Sequence, residues 1–167
     1  MHPDPKRMEQ NLQHFREETH AHCVVCGAYN PQGLQLSFQA SPDGSVRAVF
    51  EGRQILEGYV YTLHGGIICS LLDGAMTNCL AAHGHRALTA EMTVRFRRPV
   101  ATGRPAIIRA WIEDCGHQLH HVAANLRQNG EIMANATAKF MEHKPSGDGK
   151  TKGVQSSGSE PRPSTLA

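Results

Sequence analysis

The sequence lacks a strong net charge of either sign. Its 167 residues include 17 lysines and arginines and 15 aspartates and glutamates, which leaves a net charge of +2 at pH 7. This balance is too small to indicate nucleic-acid binding through bulk charge. Partners must therefore be sought in local motifs, within a chain of a length that predicts one domain.

The sequence also lacks an apolar run as long as the ~20 residues that span a bilayer. Its longest apolar stretch, within residues 67–82, is interrupted by four polar residues, as in a buried core helix. The N-terminus has no apolar segment of the kind found in secretory signals. The five cysteines, an odd number, fit reduced thiols better than a disulfide framework. We therefore expect a cytoplasmic protein.

Composition divides the chain into three parts. Residues 1–21 form an N-terminal extension with apolar residues at helical spacing, which predicts a short amphipathic surface helix. Residues 22–143 carry the patterns of a folded domain. Residues 144–167 are rich in glycine, serine and proline, which predicts a disordered C-terminal tail.

Alternation of apolar and polar residues predicts an antiparallel sheet. In the strand that begins near Thr89, this alternation places Thr89 on the same polar face as Glu91. Turn residues at Pro42-Asp43-Gly44 and at Asn129-Gly130 predict two hairpins. The predicted strands are residues 34–40, 46–50, 89–97, 105–113, 118–127 and 131–141.

Residues 65–83 are predicted to form a buried helix, because apolar residues recur at three- and four-residue steps around most of its circumference. A sheet with one apolar face must cover that face, so we expect an α+β fold in which the sheet wraps around this helix. The pair Gly65-Gly66 leaves backbone N–H groups at the positive end of the helix dipole, which suits an anion or a polarised carbonyl oxygen.

Asp73 is the one formal charge on this helix, and an ionised buried group needs a partner or a function. Eight residues at a rise of about 1.5 Å separate Gly65 from Asp73 by about 12 Å, too far to act on one carbonyl. Two such helices packed antiparallel about a two-fold axis would bring these groups together. We therefore expect a homodimer with two equivalent composite sites.

The string His64-Gly65-Gly66, with Asp73 nine residues after the histidine, and the strand over residues 89–99 resemble the hot-dog acyl-CoA thioesterases of the PaaI type. The resemblance covers residues 22–142. It implies a single hot-dog domain that hydrolyses an aryl or a short- or medium-chain acyl-CoA. It also implies a homodimer or a dimer of dimers, and no cofactor.

The resemblance also implies roles for individual residues. Asp73 would be the general base or the nucleophile, and the amide of Gly65 would polarise the thioester carbonyl. Thr77 would help to place the attacking water, and Thr89 would lie near the catalytic centre. Many members have an asparagine or glutamine six residues before the histidine, where this chain has Gly58.

Four further residues are candidates at the site. His64 is expected to orient the start of the helix more than to transfer protons, and Gly66 is expected to contact substrate. Arg97 and Arg98, near the end of their strand, are candidates for the phosphates of coenzyme A, although a solvated strand face is the default for such residues.

Two clusters have metal-ligating residue types. One is half of a zinc site without a second half, so no metal is expected there. In the other, adjacent strand residues face opposite sides, which predicts surface histidines. The first comprises His20, His22, Cys23 and Cys26, and the second Cys115, His117, His120 and His121.

Two other functions remain open. A hydratase or dehydratase would need a histidine beside Asp73, and His83 and His85 do not lie one or two turns from it. A non-catalytic acyl-CoA-binding module is suggested by Gly58, where a polar side chain is missing.

Overall fold

A six-stranded antiparallel sheet wraps around one long helix in the structure, a computed structural model that describes residues 4–143. This is the α+β architecture expected from the sequence. The predicted tail at 144–167 lies outside the described residues. The helices are α1 (Pro5–His14) and α2 (Gly65–Ala82). The strands are β1 (Gln39–Ala40), β2 (Val46–Glu51), β3 (Glu57–Tyr59), β4 (Thr62–Leu63), β5 (Ala87–Phe96), β6 (Pro105–Cys115), β7 (Leu119–Gln128) and β8 (Glu131–Glu142).

The strand order of the sheet is β1-β2-β6-β7-β8-β5, and every neighbouring pair is antiparallel. Strands β3 and β4 form a separate two-stranded sheet just before α2. Helix α2 packs against five strands of the larger sheet, which bury its apolar residues. Strand β5 lies at one edge of this sheet and packs against the central helix.

Helix α2 ends one residue before its predicted boundary. By length and composition it could cross a membrane, but 61% of its apolar window is buried inside the domain, as in a core helix. Its C-terminus is a Schellman motif, in which the N–H of Gly84 donates to the carbonyl of Ala81 and the N–H of His85 to that of Leu80. Gly84 has a φ of +87°, which glycine adopts without strain.

The two predicted hairpins are present, with one difference in length. Asn129 and Gly130 have φ values of 53° and 80°, the left-handed pair that a tight two-residue turn requires. The predicted strand at 34–40 shrinks to β1, because Leu34 and Leu36 donate their N–H groups to the loop carbonyls of residues 24 and 25 instead. The other five predicted strands begin and end within two residues of their predicted boundaries.

A bulge in β5 overturns the predicted orientation of Thr89. The register of β5 on β8 shifts between Thr89 and Glu91, so Ala90 is an extra residue without a partner. Thr89 lies opposite the buried Phe140 and therefore faces the helix, whereas Glu91 lies opposite Lys139 on the outer face. Simple alternation places Thr89 on the wrong side of the sheet.

The expected N-terminal helix is α1, and it packs directly on α2. Its buried residues Met8 and Leu12 join the main core, and Asn11 donates a hydrogen bond to the carbonyl of Ala82. The boundary between the extension and the domain stays a prediction. Because α1 shares the core, we expect its removal to destabilise the domain.

Candidate functional site

Asp73 opens into a cavity of about 150 Å³ beside the middle of α2. One wall is helix α2 and the other is the N-terminal segment that crosses it. Thr77, one turn beyond Asp73, shares this cavity, as its predicted role requires. The lining residues are Ser70, Asp73, Gly74, Thr77 and Asn78 of α2, together with His20 and residues 23–26.

Gly74 explains why the N-terminal segment passes so close to Asp73. A Cβ at this position would lie 2.5 Å from the Cγ1 of Val25, so only glycine allows the contact. The segment therefore covers Asp73 at the one point where the helix has no side chain. The presence of His20 in this cavity could not be predicted from the sequence, because no local pattern specifies the path of a loop across a helix.

Thr89 holds the Asp73 carboxylate in place. The Oγ1 hydroxyl of Thr89 donates to Asp73 Oδ1 over 2.6 Å, which the bulge in β5 makes possible. The other oxygen, Oδ2, receives no hydrogen bond from any residue between 4 and 143. Asp73 therefore presents one oriented oxygen and one free oxygen, the arrangement that a general base or a nucleophile needs.

The start of α2 is capped by the side chain of His64. His64 Nδ1 accepts a hydrogen bond of 2.9 Å from the N–H of Gly66, so this ring nitrogen is bare and the capping role agrees with the expected orienting role. The N–H of Gly66 is thereby occupied. The N–H of Gly65 has no acceptor in the part of the chain that the structure describes, which leaves it as the donor available at this end.

The site residues fall into two groups on one chain. Asp73, Thr77 and Thr89 lie at the middle of α2, whereas His64, Gly65 and Gly66 lie at its start and do not line the Asp73 cavity. This separation agrees with the expected distance along the helix.

Gly58 packs against His64. A Cβ on Gly58 would lie 3.2 Å from the Cα of His64 and 3.1 Å from its Cδ2, so a larger residue would press on the capping histidine. Neighbouring Tyr59 and Tyr61 are 83% and 76% exposed, which leaves their hydroxyls free to reach a bound molecule. Gly58 thus offers no polar side chain to a substrate, and its role in this structure is to pack closely against the capping histidine.

The two candidate arginines lie at the Gly65 end of the helix, because the ring of Phe96 packs 3.7 Å from the Cβ position of Gly65. Arg97 donates through Nε to Asn135 Oδ1 over 2.7 Å, and Arg98 pairs with Glu131 at 3.6 Å. Both side chains are exposed and remote from the Asp73 cavity. They border the donor end of the site.

Cys23 and Cys26 lie together in the wall of the Asp73 cavity. Hydrogen bonds from Cys26 and His20 lower the pKa of the Cys23 thiol, and the hydrogen bond to Cys23 together with burial raises that of Cys26. The ligand atoms of His20, Cys23 and Cys26 lie within 4.8 Å of one another, whereas His22 is outside this group. Three donors have thus converged, one fewer than a closed structural zinc site uses.

A larger groove, of about 730 Å³, lies elsewhere. It runs between residues 31–39 and β2, and it includes neither Gly65 nor Asp73. Its volume alone would favour this groove as a binding site. The candidate carboxylate, Asp73, lies in the smaller cavity, however, and the candidate oxyanion donor, Gly65, lies at the start of α2.

The chain is similar to known proteins in both sequence and fold. Residues 61–133, which include α2 and strands β5 to β7, match the family model described as the thioesterase superfamily. The chain is 24% identical over 110 residues to acyl-coenzyme A thioesterase THEM4 of Bos taurus, covering 65% of this chain and 45% of that protein. It therefore spans about half the length of this curated relative.

Two solved structures illustrate the likeness of fold. The PaaI protein from the phenylacetic acid degradation operon of E. coli superposes with a TM-score of 0.69 at 17% identity, covering 84% of this chain and 96% of that one. A Streptococcus mutans protein bound to acetyl CoA superposes with a TM-score of 0.61 at 18% identity, covering 65% and 88%. Over residues 61–133 the chain is thus similar to the thioesterase superfamily, and the sheet wrapped around α2 has the hot-dog fold.

Proposed function

We propose that this protein hydrolyses acyl-CoA thioesters to a carboxylic acid and free coenzyme A. The observation that carries the proposal is the hydrogen bond from Thr89 to Asp73, which orients the carboxylate and leaves Oδ2 free at a cavity. In this mechanism Asp73 Oδ2 removes a proton from water, and the resulting hydroxide attacks the thioester carbon. The carbonyl oxygen gains negative charge, which the N–H of Gly65 stabilises before the thiolate leaves.

We further propose that the carboxylate and the amide come from different subunits of a homodimer, or of a dimer of dimers. Two observations support this. Gly65 and Asp73 do not share a cavity on one chain, and β5 offers a free edge that carries the exposed apolar residues Leu88 and Phe96. Each site would then combine Asp73, Thr77 and Thr89 of one chain with Gly65 of its partner.

The arginines fit the same arrangement. Arg97 and Arg98 follow Phe96, whose ring contacts Gly65, so they would belong to the chain that supplies the oxyanion donor. Guanidinium groups suit the phosphates of coenzyme A. The acyl group would then extend toward the Asp73 chain.

The acyl group is proposed to be aryl or short- to medium-chain. The likeness to PaaI, a protein of phenylacetic acid degradation, supports the aryl option. Met76, Leu80 and Met92 are flexible and apolar, which suits an aryl or medium aliphatic chain. Met76 and Leu80 are fully buried in the core, whereas Met92 is partly exposed on the helix-facing side of β5. A cytoplasmic location is part of the proposal, supported by five free thiols.

Asp73→Asn tests the proposal, because it keeps the shape and the acceptor for Thr89 but removes the charge. We expect turnover to fall by orders of magnitude, measured as free-thiol release from a panel of acyl-CoAs, with KM little changed. Asp114→Asn, on the exposed end of β6, is the matched control and should keep full activity. Full activity of Asp73→Asn would contradict the proposed role.

A hydratase or dehydratase is the second candidate, because His20 lies in the same cavity as Asp73. Such an enzyme would alter the acyl chain without releasing thiol. Mass analysis of the acyl-CoA panel after incubation distinguishes the two reactions. Tight binding with neither change would instead favour the non-catalytic module that Gly58 suggests.

A further inference from the structure

A second cluster of nitrogen and sulfur ligands lies at the far end of α2 from Gly65. His120 is 1% exposed, so the expectation of a surface histidine is wrong for this residue. Its Nδ1 lies 3.1 Å from Cys115 Sγ, and His85 Nε2 lies 3.4 Å from the same sulfur. All three ligand atoms are within 4.8 Å of one another.

Two separate features of the backbone create this cluster. The Schellman motif at the end of α2 fixes the position of His85. The hairpin between β6 and β7 pairs Cys115 with His120 across the strands. That hairpin needs Gly116, because a Cβ there would lie 2.8 Å from the carbonyl oxygen of Leu119. The convergence is therefore specified by fixed turns and not by flexible side chains alone.

Glu142 contacts both imidazole rings on the side away from Cys115. Its Oε2 lies 2.6 Å from His120 Nε2 and 3.6 Å from His85 Nδ1. A carboxylate only accepts, so the 2.6 Å contact places the proton of His120 on Nε2, and the negative charge of Glu142, 3.6 Å from His85 Nδ1, favours a proton on that nitrogen as well. The nitrogens that face Cys115 are then bare. This is the outer-shell arrangement by which carboxylates orient metal-binding histidines.

The cluster has more acceptors than protons. Two bare nitrogens face one thiol, and the single S–H proton can satisfy only one of them. A cation satisfies all three at once, with the thiol proton released to solvent. The spacing suits this, because bond lengths of tetrahedral zinc place its nitrogen and sulfur ligands about 3.6 Å apart.

We propose that His85, Cys115 and His120 bind a zinc-class cation, with Glu142 holding the two histidines in the binding tautomer. Imidazole and thiolate are the ligands that Zn²⁺ and its spectroscopic substitute Co²⁺ prefer. Cys115 is exposed and His85 is about one-third exposed, so a water molecule can complete the coordination from the solvent side. The site is independent of the thioesterase proposal, because none of its residues lines the Asp73 cavity.

Cobalt titration of the full-length, reduced, chelator-treated chain tests the site. The Cys23→Ser variant is the background, because it removes one donor from the other cluster, His20, Cys23 and Cys26. We expect one Co²⁺ per chain, with a thiolate-to-cobalt charge-transfer band and the strong visible bands of a tetrahedral site. Adding Cys115→Ser should abolish the charge-transfer band, and circular dichroism should show an unchanged fold.

Two further variants separate binding from folding. His85→Gln removes a partly exposed ligand and should weaken Co²⁺ binding while the remaining thiolate band persists at saturation. Glu142→Gln should weaken binding by about 10- to 100-fold, as loss of an outer-shell partner does. The proposal is overturned if the Cys23→Ser chain binds no Co²⁺, or if its charge-transfer band survives Cys115→Ser.

Discussion

Single atoms decide what the start of α2 can do. The N–H of Gly66 already donates to His64, whereas the N–H of Gly65 has no acceptor among residues 4–143 and is available to a substrate oxygen. His64 has φ −62° and ψ 136°, the extended conformation that the residue before a proline adopts. Position 65 is the first residue of the helix, where proline is well tolerated. A proline at this position therefore deletes one hydrogen-bond donor and little else.

We expect Gly65→Pro to lower kcat by about 10²- to 10³-fold, the usual effect of losing one oxyanion donor. Gly65→Ala is the matched control, because its Cβ would meet Phe96 at an ordinary 3.7 Å and its N–H is kept. Steady-state thiol release from both variants checks the prediction. Equal activities in the proline and alanine variants would exclude the Gly65 amide from the mechanism.

The stability of the folded chain is expected to depend on pH through the carboxylate of Asp43. The hydroxyl and amide of Ser45, together with Arg109, hold the pKa of Asp43 below its usual value. A carboxylate whose pKa is lowered by folding stabilises the native state above its unfolded pKa, about 3.9, and this contribution is lost as the pH falls through the folded pKa. Urea midpoints of wild type and Asp43→Asn should therefore differ at neutral pH and converge in acid. A difference that grows in acid would reverse the sign.

At the scale of elements, the helix and the sheet were predictable from the sequence, but their contacts were not. Periodicity located α2 because apolar residues recur at helical spacing around most of the helix, and most of them are buried. Alternation failed at Thr89, because a bulge inserts one residue and reverses every face on one side of it. The cluster around His120 was also not predicted, because its members come from two turns that are distant in sequence.

The crossing of α2 by the N-terminal segment depends on Gly74. Alanine is favoured over glycine in a helix by about 1 kcal/mol, but its Cβ would clash with Val25. We expect Gly74→Ala to destabilise the domain by about 1–3 kcal/mol, measured by urea unfolding. In a double-mutant cycle, Val25→Ala should remove much of this cost. A stabilised Gly74→Ala chain would indicate that the segment is not held against the helix.

At the scale of the whole molecule, the proposed active site depends on how two chains associate. One chain orients a carboxylate at the middle of α2 and leaves an amide free about 12 Å away at the helix start. Neither group suffices for the proposed hydrolysis. If two chains pair antiparallel along their helices, the same two-fold axis completes both sites at once.

Subunit mixing tests this directly. Asp73→Asn and Gly65→Pro are each expected to be inactive as pure proteins. After exchange in equal amounts, half of the dimers would be mixed, and each mixed dimer would carry one intact site, made from Asp73 of one chain and Gly65 of the other. We therefore expect about one quarter of wild-type thiol release to return. If both groups instead act within one chain, every site in the mixture lacks one of them, and no activity returns.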